Sequence, residues 1–132
     1  MTLVLDASAL VQYLARGEQA EKVGRAILNG AGGLWAPHLI DAEIGHVLRR
    51  GVQRGELDAA RARTALHELG ELPLQRVAHG GLLLRAWEMR ENLSFYDALY
   101  ASLAERLDAV LITLDARIER APGVRARVEV IA

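Results

Sequence analysis

A three-layer α/β/α sandwich on a small parallel sheet, forming a single domain over residues 1–132, is the fold the sequence predicts. Three observations carry it. LVL at 3–5 and VLIT at 110–113 are apolar without interruption, as strands buried on both faces are, whereas half-exposed strands alternate. Between such runs lie stretches whose apolar residues recur at helical spacing. No repeat, linker or low-complexity tract divides the 132 residues, a length that suits one domain with a real core.

The elements follow in order. LVL at 3–5 is the first strand, and Ala7 to about Leu14 the first helix, ended by Gly17. Ala20 to about Leu28 is helical and closed by the turn cluster NGAGG at 29–33. LWA at 34–36 is a strand stopped by Pro37. Leu39 to Arg50 is a helix with Ile40, Ile44, Val47 and Leu48 on one face, and Gly51 and Gly55 punctuate it. Leu57 to about Leu69 is a helix for which Gly70 serves as the cap. LPLQRVA at 72–78 holds a weak strand, and Leu82 to about Arg90 a helix. Ser94 to Leu107 is a stronger helix, VLIT at 110–113 a buried strand, and 116–120 a short helix before Pro122 and Gly123. VEVI at 128–131 closes the chain as a strand.

Composition narrows the function. Hydrophobic residues make up 52% and charged residues 25%, a globular balance. No apolar run reaches the ~20 residues of a membrane span. The start has no basic segment before its apolar stretch, so a secretory signal is not expected. Without cysteines there are no disulfides or thiolate metal sites, in keeping with a reducing cytoplasm. A net charge of −1 gives no broad positive field for nucleic acid. Any such contact needs a local basic patch.

Four carboxylates stand out, each with an ordinary reading beside a functional one. Asp6 follows the first strand and Asp115 follows VLIT, so each reads as an N-cap. Asp97 lies three residues after Ser94, as in a capping box. Glu43 borders the apolar stripe of its helix and is spaced to pair with His46. Asp41, on the other flank, is expected in solvent. In a parallel sheet, however, all four arrive at the carboxyl edge of the strands, where ligands bind in open α/β sheets. Gathered carboxylates raise one another's pKa. A hard divalent cation such as Mg²⁺ or Mn²⁺ resolves that repulsion. It also suits phosphodiester hydrolysis, by activating water and offsetting charge.

VLDASALVQYL at 4–14, APHLIDAEIGHVLRR at 36–50, LSFYDALYASLAERLDAVLITLDARI at 93–118 and the terminal strand together resemble the PIN domain. Within it they resemble the VapC-type ribonuclease toxins of bacterial toxin–antitoxin modules. The pieces occur in family order over nearly the whole chain. The resemblance implies a PIN-like fold and an acidic pocket holding Mg²⁺ or Mn²⁺, with its acids at Asp6, Glu43, Asp97 and Asp115. It assigns supporting roles to Ser8, which orients water or a carboxylate, and to Thr113, which orients Asp115. It further implies cleavage of structured RNA, transfer or ribosomal, a homodimer, and a separate antitoxin chain that inhibits the enzyme. Arg49, Arg50, Arg54 and Arg117 are the candidates for RNA phosphate contacts. His46 stands where the family often carries Asn, and it receives no role. His38, His67 and His79 are expected on the surface or in loops.

Rival readings fit less well. A phosphorelay receiver domain needs an acidic pair after the first strand and a Lys near the last, but Asp6 is single and Lys22 is the only lysine. A haloacid-dehalogenase-like phosphatase needs D-x-D where this chain has D-A-S. A PIN-like module that binds without cleaving, or a housekeeping PIN ribonuclease without an antitoxin, stays open at this point.

Overall fold

The computed structural model describes residues 1–132. Five strands, β1 (Leu3–Leu5), β2 (Leu34–Pro37), β3 (Leu74–Val77), β4 (Val110–Thr113) and β5 (Arg127–Val130), form one sheet in the order β3-β2-β1-β4-β5. Every neighbouring pair is parallel. The expected weak strand in 72–78 is thus a full member, on one edge. The strand order reverses between β1 and β4, which pair Leu5 with Ile112. Side chains of Leu3, Val4, Leu5, Leu111 and Ile112 are all buried, which explains why these strands do not alternate in sequence.

Seven helices cover the sheet. Helices α1 (Ala7–Ala15), α2 (Ala20–Leu28), α3 (Leu39–Gln53) and α4 (Ala59–Glu71) pack among themselves. Helices α5 (Leu83–Glu88) and α6 (Phe95–Leu107) pack together, and α6 lies against β1, β2 and β4. Residues Ala98 through Ala104 are buried without a break. The alanines at 98, 101 and 104 let this helix approach the sheet closely. Helix α7 (Ala116–Arg120) packs beside β5.

Three glycine expectations are corrected. Helix α3 runs through Gly51 to Gln53. A Cβ at Gly51 would meet the Leu57 Cβ at 3.3 Å, so this glycine admits a neighbour rather than ending the helix. The terminator is Gly55, at φ 72°. Gly70 lies inside α4, with Leu72 at its C-cap. Helix α1 turns at Arg16, itself left-handed at φ 57°, and Gly17 N–H donates to Gln12 O at 2.9 Å. The helix expected over 82–90 divides into a 3-10 turn, Gly80–Leu82, and α5.

Candidate active site

Asp6 leaves β1 in an extended conformation and caps α1, accepting from Ala9 N–H at 3.0 Å. The ordinary reading of this residue is therefore correct, yet incomplete. Ser8 Oγ donates to Asp6 Oδ1 at 2.7 Å, and Thr113 Oγ1 donates to Oδ2. Ser8 Oγ accepts from Leu114 N–H and Thr113 Oγ1 from Asp115 N–H, each at 3.0 Å. Two hydroxyls thus tie the carboxyl end of β1 to that of β4, at the reversal of strand order where α/β sheets bind ligands. Asp6 is only 5% exposed. Burial pushes its carboxyl above the ordinary range and the Asp97 charge adds to this, against the three hydrogen bonds.

Glu43 enters from the second turn of α3. The Tyr100 hydroxyl donates to Glu43 Oε1 at 2.6 Å. Burial raises the Glu43 carboxyl, and the charges of Asp97 and Asp6 raise it further, while Tyr100 opposes them. Burial and the facing Glu43 push the Tyr100 phenol well up, so it stays a donor at any working pH. The apolar pattern of α6 alone gives Tyr100 no role beyond the core. Its position three residues after Asp97, on the same helix face, is the sequence signal for its role.

Asp97 stands in the first turn of α6, and its N–H donates to Ser94 Oγ at 3.1 Å. Burial raises this carboxyl, the Asp115 charge adds, and Ser94 and Arg117 oppose. Asp115 is set apart. It caps α7 and accepts from Arg117 three ways through the guanidinium, the shortest 2.7 Å. That pairing holds its carboxyl below the ordinary range.

The four acids therefore share one edge, and Asp97 is linked by charge to each of the other three. Still, no three acid or histidine side chains converge on a single ion-sized position: Glu43 is turned to Tyr100 and Asp115 to Arg117. By chemistry the donors fit a hard divalent cation, since carboxylates and hydroxyls offer oxygen only.

The remaining candidates are dispersed. Arg50 and Arg54 border a groove of about 420 Å³ floored by Val11, Ala15 and Leu57. Arg49 faces α4 across a separate depression. Arg117 is bonded to Asp115. Asp41 has a solvent-exposed side chain, as expected, and is also bound by both Nε and Nη2 of Arg76, at 2.8 Å for the closest contacts. His79 lies in a loop as expected, and there it also accepts from Leu39 N–H at 3.0 Å through Nε2 and so caps the helix that carries Glu43. His46 is exposed.

The chain belongs to the PIN-domain family, whose model matches residues 3–124. Its relatives narrow this. It is 41% identical to Ribonuclease VapC1 of Mycobacterium tuberculosis over 97% of this chain and 96% of that protein. It is 44% identical to Ribonuclease VapC9 of the same organism over 88% and 87%. These relatives place it among the RNA-cleaving hydrolases of the VapC type. The solved structure of PAE2754 from Pyrobaculum aerophilum superposes with a TM-score of 0.67 at 28% identity, covering 98% of this chain and 84% of that one. VapBC2 from Rickettsia felis, bound to a promoter DNA fragment, superposes at 0.73 with 14% identity over all of both chains. Mycobacterium tuberculosis VapC20, described as a sarcin-ricin loop cleaving toxin, superposes at 0.67 with 14% identity over 87% and 91%. The last two likenesses speak for the fold.

Proposed function

We propose that this ribonuclease depends on Mg²⁺ or Mn²⁺, cuts structured RNA of the transfer or ribosomal class, and acts as the toxin of a type II toxin–antitoxin pair. One observation carries the reading: Asp6, Glu43 and Asp97 stand together at the carboxyl edge of the sheet, at the strand-order reversal, and each is raised first by burial and then by the charge of a neighbouring acid. A fold keeps such mutual repulsion where function uses it.

Asp6, Glu43, Asp97 and Asp115 are the residues that would hold the ion. When bound, the ion supplies Lewis acidity that lowers the pKa of a water and offsets phosphodiester charge. Ser8 and Thr113 fix both oxygens of Asp6, so that a buried carboxylate keeps one orientation. Tyr100 does the same for Glu43. Arg117 holds Asp115 ionised. Arg49, Arg50 and Arg54 are assigned to RNA phosphates along α3.

The antitoxin is a separate chain, in line with solved relatives that are toxin–antitoxin complexes. The active form is a homodimer. No helix is long and apolar enough to cross a membrane, and the working place of the enzyme is the cytoplasm, with its RNA. The test is cleavage of purified transfer and ribosomal RNA with Mg²⁺, with Mn²⁺, and with chelator. Discrete products that vanish with chelator and in Asp6→Asn are expected. Cleavage that persists in both would overturn the metal and the site together.

A further inference from the structure

Helix α6 presents more than Asp97 to the acidic edge. Tyr100 marks the direction of that edge, because its hydroxyl touches Glu43. At 100° per residue, Tyr96 lies about 40° to one side of Tyr100 and Asp97 about 60° to the other. Both stand roughly one turn nearer the helix N-terminus, and so nearer the open edge of the sheet. Asp97 is partly buried, but Tyr96 is 60% exposed and has no hydrogen-bond or packing role in the core. Tyr96 thus presents a large aromatic ring to solvent in the same helical turn as the half-buried Asp97.

We infer that Tyr96 is a base-stacking platform at the mouth of the site, taking an unpaired nucleotide next to the cleaved phosphodiester. This rests on the acidic edge being the place of cleavage. The local charges favour stacking over ionic capture. Asp6, Glu43 and Asp97 repel a phosphate backbone, and the one guanidinium bonded to the cluster, Arg117, is engaged with Asp115. Stacking needs no positive charge and accepts any base, since every base has a π-face. It also requires a base free of its helix, so Tyr96 selects loops and single strands over duplex.

The test uses RNA hairpins with one 2-aminopurine at successive loop positions, and the same sequences as full duplexes. The purified proteins are wild type, Tyr96→Phe, Tyr96→Leu and Asp97→Asn. At one loop position, wild type, Tyr96→Phe and Asp97→Asn should quench the fluorophore and Tyr96→Leu should not. Duplexes should show no quenching with any protein. In cleavage, Tyr96→Leu should raise KM about 5- to 150-fold, the range set by losing one base–aromatic stack, with kcat nearly unchanged. Equal quenching and KM for Tyr96→Leu and wild type would overturn the inference. So would a loss in Tyr96→Phe as large as in Tyr96→Leu, which would assign the effect to the hydroxyl. Quenching that needs Tyr96 in a protein whose cleavage survives Asp97→Asn would retain the platform and reject the acidic edge as the site.

Discussion

The hydroxyl of Tyr100 donates to Glu43 at 2.6 Å, joining α6 to α3 across the carboxyl edge of the sheet. The two residues are 57 positions apart, and the bond sets where one of four acids points. Tyr100→Phe keeps the ring in its buried slot and removes only the donor. Glu43 loses the bond that lowers its pKa, so the acid limb of the rate profile should move to higher pH. Because hydrogen bonds to charged groups contribute ~1.5–3 kcal/mol, kcat should fall about 10- to 150-fold at neutral pH. A pH–rate profile identical to wild type would remove Tyr100 from the mechanism.

Thr113→Val tests the tie between β4 and β1. Valine matches threonine in shape but leaves buried Asp6 Oδ2 without its donor. The expected loss is about 1–3 kcal/mol, seen as a lower urea midpoint at unchanged slope. An unaltered midpoint would show that the bond to Asp6 adds nothing to the fold.

Asp97→Asn should be inactive yet more stable than wild type at neutral pH in chelator. The folded-state pKa of Asp97 lies above its unfolded value, with burial the main cause. The fold therefore binds this proton more tightly than the unfolded chain does. The stability linked to it is complete at low pH and declines as pH rises through the raised pKa. Asparagine removes the decline. The gap between variant and wild type should be widest near neutrality and close as pH falls toward 3.8, the ordinary aspartate value. Glu105, lowered by its Arg85 partner in spite of burial, contributes with the opposite sign but equally in both proteins. A variant less stable than wild type at pH 7 would contradict the assignment.

Arg50→Ala with Arg54→Ala should weaken RNA binding and reduce the salt slope by about 0.7–0.9 per lost phosphate contact. Titrations at several salt concentrations read this directly. An unchanged slope would dismiss the groove they border as a path for RNA.

The strands and helices were legible because burial on both faces writes continuous apolar runs, and Leu3–Leu5 and Val110–Thr113 are such runs. The acids were legible because strand ends and helix starts share an edge in any parallel sheet. What was not legible depended on partners distant in sequence. Asp41 is exposed as periodicity predicts, but its Arg76 partner lies 35 residues away and leaves no trace in the pattern. His79 caps α3 from 40 residues away. Gly51 and Gly70 misled for a different reason. A glycine within a helix costs only about 1 kcal/mol, so the packing of Leu57 on Gly51 and the continuation of α4 past Gly70 both override it.

The central claim is that the four-acid edge cuts RNA at chosen places. Its most direct test is brief induction of the protein in a bacterial host, followed by mapping of new RNA 5′ ends across the transcriptome. Asp97→Asn at equal soluble level is the comparison. Recurrent ends at a few sites, present with wild type and missing with the variant, are the expected result and would name the target. The same ends appearing with Asp97→Asn would contradict the claim, for cleavage would then proceed without the acid on which the site depends.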